Sequence, residues 1–107
     1  MSFLQRQRIP ASAVLAVAQQ RAAVLRGNAF SQLEALPRVH QEVVPINGCE
    51  LQVTTYRDPL PDGRLRVVVQ SYLHRLLGIG TMTAEGFIVA PDDSHSDLPE
   101  KMLYEFC

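Results

Sequence analysis

The chain has 107 residues, of which 47% are hydrophobic and 20% are charged, so its composition is that of a globular protein and excludes a disordered chain. A domain of this length buries roughly 65% of the surface that its unfolded chain exposes. We therefore expect residues 1–107 to form a single domain around one hydrophobic core, without support from disulfides.

Charge is unevenly distributed although the net charge is only -1. Residues 1–26 carry four arginines and no acid, whereas residues 76–107 carry six acids and one lysine. We interpret residues 1–9 as a basic N-terminal arm and residues 91–107 as an acidic loop followed by a C-terminal helix. The two ends are expected to attract each other, within one chain or between two, and the small net charge argues against nucleic-acid binding.

Cysteine content and hydropathy indicate the cellular setting. The chain has two cysteines, Cys49 and Cys107, too few for a domain that depends on disulfides. No apolar run reaches the length of about 18 residues that a membrane-spanning helix needs. We therefore expect a cytoplasmic protein with no membrane contact.

Residues 10–26 predict the first and longest helix. Pro10 and Ser12 suit a first helical turn, and the interior is rich in alanine, the strongest helix former. Its apolar residues recur at helical spacing on one side; they are Val14, Leu15, Ala18, Ala22 and Leu25. A shorter helix is predicted within residues 31–36, where Pro37 ends it. The long helix must therefore lie against an apolar surface.

After Pro37 the apolar pattern changes to the two-residue period of strands. Asn47 and Gly48 separate two extended runs and are the strongest short signal for a β-hairpin. A second turn is predicted at residues 61–63, and the strands continue over residues 64–74 and 81–90. These elements predict an α+β fold, in which the N-terminal helix packs on one face of a four-stranded antiparallel meander and a short C-terminal helix follows.

The segment PDDSHSDLPE, residues 91–100, admits two interpretations. Asp93, His95 and Asp97 alternate as metal ligands would, but the glycine and the glutamate spacing of a calcium loop are missing. Asp97 and Glu100 have capping-box spacing before an apolar stripe, which consists of Leu98, Met102, Leu103 and Phe106. We favour a helix start over a metal site, and we expect no cofactor.

The sheet face opposite the long helix carries more apolar and aromatic side chains than a face meant only for water. Tyrosine and arginine are enriched at protein interfaces. The candidate interface residues are Val43, Tyr56, Arg66, Val68, Gln70, Tyr72, Phe87 and Val89. We predict a non-catalytic interaction domain that forms a homodimer through this face or through the C-terminal segment, with another protein as the alternative partner.

An enzyme or small-ligand protein is the competing hypothesis. Tyr72 and His74 are expected on this same face, and Glu85 could join them from the neighbouring strand. With Arg66 and Gln70 on the same face, this patch would place an acid, a base and an anion clamp together. This hypothesis requires the three side chains to converge on one pocket.

Overall fold

The computed structural model describes residues 9–74 and 80–103. Within these ranges the elements in chain order are α1 (Ala11–Arg26), α2 (Phe30–Glu34), β1 (Val39–Ile46), β2 (Cys49–Pro59), β3 (Leu65–His74), β4 (Gly80–Val89), β5 (His95–Asp97) and α3 (Glu100–Leu103). The predicted basic arm, apart from Ile9, lies outside the described residues, as do Phe106 and Cys107.

The strands form one antiparallel sheet in the order β1-β2-β3-β4-β5. The predicted α+β class and the helix-then-meander order are confirmed. The predicted number of four strands is wrong, because β5 pairs with the end of β4 and sets His95 opposite Val89. The chain reverses in a tight turn at residues 91–94, where the Asp93 N–H donates to the Ala90 carbonyl at 2.9 Å.

Two helices cover one face of the sheet, which we call the inner face. The side chains of α1 spaced four residues apart, Val14, Ala18 and Ala22, are buried. They pack on residues of β2 and β3, with Leu51, Val53, Val69 and Leu73 at the centre. Fully burying one valine or leucine side chain stabilises the folded state by about 1.5–3 kcal/mol.

The second part of the core lies under α2, whose Leu33 is fully buried. It packs on the opposite end of the inner face, which consists of Leu65, Val67, Phe87 and Val89. Leu25 of α1 contacts both parts of the core. α1 therefore does not cover the inner face alone, because α2 covers the end of that face that α1 does not reach.

The C-terminal segment lies on the opposite, outer face, over β4. Leu98 sits above Gly86, where an added Cβ would be 3.0 Å from Leu98 Cδ2. The predicted helix start at Asp97 is wrong, because Asp97 belongs to β5 and α3 begins at Glu100. The Asp97 carboxylate accepts from Arg26 at 3.0 Å instead. This ion pair joins the basic N-terminal region to the acidic C-terminal region within one chain.

Candidate functional site

The strand register assigns each predicted interface residue to a face of the sheet. The outer face holds six of them, namely Val43, Tyr56, Arg66, Val68, Gln70 and Tyr72. Phe87 and Val89 were expected beside them, and that placement is wrong. Phe87 is opposite Val67 and Val89 is opposite Leu65, so both point to the inner face and are fully buried there.

The three residues of the enzyme hypothesis do not converge. On the outer face, the Tyr72 hydroxyl lies 3.1 Å from His74 Nδ1, and the Tyr72 ring lies over Gly80, whose Cβ would be 2.5 Å from Tyr72 Cε2. Glu85 is opposite Val69 and therefore belongs to the inner face, since side chains of paired residues point to the same side. The sheet itself separates the carboxylate from the phenol and the imidazole.

The three metal-ligand candidates are likewise engaged separately. The Asp93 carboxylate accepts the N–H of Phe30 at 2.7 Å, while the His95 ring makes an edge contact with Phe87 at 5.6 Å between centroids. Asp97 binds an arginine of α1, as described above. Within residues 9–74 and 80–103, no group of three or more His, Cys, Asp or Glu side chains is placed to hold a metal ion.

The centre of the outer face is occupied by polar side chains that bond to one another. The Tyr56 hydroxyl donates to Gln70 Oε1 at 3.3 Å, and Arg66 Nη2 donates to Asp58 Oδ2 at 2.9 Å. The Arg66 side chain is only 13% exposed, and Val68 beside it is fully buried. The polar groups at the centre of this face are therefore satisfied within the chain, and Leu98 lies over β4 at Gly86, whereas Met82 at the other end of β4 is 44% exposed.

The β1 end of the outer face is open. Val39 is 58% exposed and Val43 is 54% exposed, and they are two of the four large hydrophobic side chains exposed among the described residues. Gln41 and Pro45, which share their side of β1, are exposed as well. We call these four outer-face side chains of β1 the β1 patch. Its apolar members lie on an edge strand, where the side chains of an incoming strand would pack beside them.

Among residues 9–74 and 80–103, no strand pairs with the outer edge of the β1 backbone. Since the Arg57 N–H donates to the Arg38 carbonyl, and hydrogen-bonded pairs alternate along antiparallel strands, the even-numbered residues of β1 bond to β2. The N–H groups of Val39, Gln41 and Val43 therefore point away from the sheet. Pro45, which lacks an N–H, falls on the same outward side, the position that proline takes in edge strands.

A cleft of about 440 Å³ lies on the inner side of β1, where α1 diverges from the sheet. Arg21 Nη2 and Glu42 Oε1 form an ion pair of 3.2 Å at this cleft. The other lining residues are Val24, Leu25, Leu36, Pro37, His40 and Thr55. Sequence reasoning missed this site, because its residues come from three distant segments and none of them forms a motif.

A comparison of the chain with protein-family models, with curated proteins and with solved structures found no match. Among the described residues, no helix is long and apolar enough to cross a membrane. The function of this chain must be inferred from its own geometry.

Proposed function

We propose that this protein is a non-catalytic interaction domain that forms a homodimer through β1, with the β1 patch at the contact. The observation that carries the proposal is the exposure of Val39 and Val43 on a strand whose outer edge is unpaired in the described structure. Edge strands that avoid association usually carry lysine or inward-pointing charge. β1 has neither a lysine nor an arginine. Its inward-pointing charge, Glu42, is paired with Arg21, and Pro45 lies beyond the exposed stretch from Val39 to Val43, so the edge is only partly protected.

A second copy of the chain is the occupant that best fits such an edge. Two identical strands related by a two-fold axis pair antiparallel, and each then satisfies the backbone groups of the other. The non-catalytic character is supported by the separation of Glu85 from Tyr72 and His74 across the sheet. We also propose a reducing, cytoplasmic setting, supported by the low cysteine content and by Cys49, which packs against the core like a small apolar residue.

Sedimentation equilibrium from low-micromolar to submillimolar concentration tests this proposal. Val43→Lys places a charge at the contact, and a two-fold dimer contains the substitution twice. Losing about 1 kcal/mol of apolar burial at each copy weakens the dimer by about 2 kcal/mol, or roughly 30-fold in Kd. The Tm of the variant, measured at a concentration where the wild type is monomeric, should stay unchanged.

Met82→Lys is the matched control. Met82 is 44% exposed and lies on β4, three strands away from β1, so this substitution should leave the dimer intact. A wild-type protein that stays monomeric up to submillimolar concentration would overturn the proposal. So would equal dimerisation of the wild type and the Val43→Lys variant.

A further inference from the structure

We infer that β1 pairs antiparallel with β1 of a second copy in one defined register, centred on Gln41. This inference rests on the proposed dimer and specifies its geometry. Only odd-numbered residues of β1 direct their N–H and C=O groups outward, as the Arg57-to-Arg38 hydrogen bond establishes. Hydrogen-bonded pairs across the new contact must therefore join odd-numbered residues of both copies.

The register centred on Gln41 uses every outward donor of the strand. It sets Gln41 opposite Gln41 of the partner subunit and Val39 opposite Val43 of the partner subunit. The N–H groups of these residues then each meet a carbonyl across the contact. Pro45, which has no N–H to donate, lies beyond the paired stretch, where its missing donor costs nothing.

Side chains on both faces agree with this register. On the outer face, the two Val39–Val43 pairs shield apolar surface that is exposed in the single chain. On the inner face, His40 is opposite Glu42 of the partner subunit, and the reverse pair forms by symmetry. Glu42 already accepts from Arg21 through Oε1, so the partner's His40 adds a second donor beside the same carboxylate. A histidine that faces a carboxylate across the contact favours this register.

Neighbouring registers are disfavoured by the same residues. Moving the centre to residue 42 sets Glu42 opposite Glu42 of the partner subunit, and like charges directly opposite each other destabilise a strand pair. Moving it to residue 40 sets Val43 opposite Pro37 of the partner subunit, which lies before β1 begins. Moving it to Val43 sets Gln41 opposite Pro45 of the partner subunit, which cannot donate.

Cysteine cross-linking distinguishes these registers. In a chain with Cys49 and Cys107 replaced by serine, Gln41→Cys places two thiols opposite each other, with Cα atoms about 5.5 Å apart, within the range of a disulfide. Under mild oxidation this variant should form a covalent dimer at least tenfold faster than Met82→Cys, whose position on β4 is three strands away from the contact and which gives the rate of random collision.

Two further variants locate the register. Val39→Cys and Val43→Cys should each cross-link slowly alone, and an equimolar mixture of the two should cross-link rapidly as a heterodimer. If the serine background dimerises in sedimentation but Gln41→Cys cross-links no faster than Met82→Cys, the register is wrong while the proposed dimer stands. Rapid cross-linking of Val43→Cys alone would also overturn it. A monomeric serine background that contrasts with a dimeric wild type would assign the contact to the cysteines and overturn both.

Discussion

Replacing Gly86 with alanine tests how closely β3, β4 and the segment around Leu98 approach one another. A Cβ at this position would lie 2.6 Å from the carbonyl oxygen of Val67 and 3.0 Å from Leu98 Cδ2, with Val68 Cγ2 at 3.1 Å. Ordinary van der Waals contact begins near 3.4 Å. The strand backbone must therefore shift, or Leu98 must leave its place above the sheet.

Overpacking of this kind costs about 1–3 kcal/mol, and a clash with backbone belongs at the upper end of that range. The gain of up to about 1 kcal/mol from a less flexible unfolded chain offsets part of the cost. We expect Gly86→Ala to lower the free energy of unfolding by about 2 kcal/mol. That corresponds to a decrease in Tm of about 8 °C for a domain of this size, measurable by calorimetry and by urea denaturation.

Gly80→Ala is the matched control, since its Cβ would be closer still to a neighbour, 2.5 Å from Tyr72 Cε2. That neighbour is the end of a side chain, which can rotate away at a cost of about 1 kcal/mol or less. If Gly86→Ala loses no more stability than Gly80→Ala, the neighbouring backbone does not constrain the residue at position 86. An unchanged urea midpoint for Gly86→Ala would refute the reasoning outright.

Two other substitutions should change stability in opposite directions, and urea denaturation measures both. The Ser71 hydroxyl is fully buried and has no hydrogen-bond partner in the described structure. Ser71→Ala should therefore raise the free energy of unfolding by about 1 kcal/mol. A loss of stability in this variant would contradict the prediction. Asp93 has a φ of 70° and binds the Phe30 N–H, so Asp93→Ala should lower the free energy of unfolding by about 1.5 kcal/mol. Asp93→Gly should be nearly neutral, because the relief of backbone strain offsets the lost hydrogen bond; equal losses in both variants would exclude this explanation.

The sequence predicts the structure correctly at the turn of Asn47 and Gly48, because few residue types adopt the backbone conformation that this turn requires. Asn47 and Gly48 both have positive φ, 47° and 80°, as a two-residue hairpin turn requires. That turn fixes the pairing of β1 with β2, because it sets Ile46 opposite Cys49. Since a strand alternates strictly from its turn onward, the outer-face position of Val43 followed from the turn alone.

β5 was missed because the turn before it, at residues 91–94, has an aspartate at the position where the turn at residues 61–64 has a glycine. In both turns an aspartate accepts the backbone N–H two residues later, Asp62 at 3.1 Å and Asp92 at 3.0 Å. The residue that follows it has positive φ in both, 89° at Gly63 and 70° at Asp93. Donors hold the pKa of both carboxyls below the usual value, chiefly a backbone N–H at Asp62 and a serine hydroxyl at Asp92. Aspartate tolerates the left-handed region better than most residues, so PDDS could have been identified as a second PDGR.

The faces of β4 could not be assigned from the sequence because both are covered near its end. Phe87, Ile88 and Val89 are all buried, so the strand lacks the alternation that identifies the core face, and an error of one residue inverts every side chain. The same coverage is one reason why the dimer proposed above uses β1. Leu98 lies over β4 at Gly86 and α2 lies beneath the same end of the strand, whereas β1 has exposed apolar side chains and an outer edge that no strand of the described residues pairs with. The residues that obscured the sequence pattern of β4 therefore leave β1 as the strand that the proposed dimer uses.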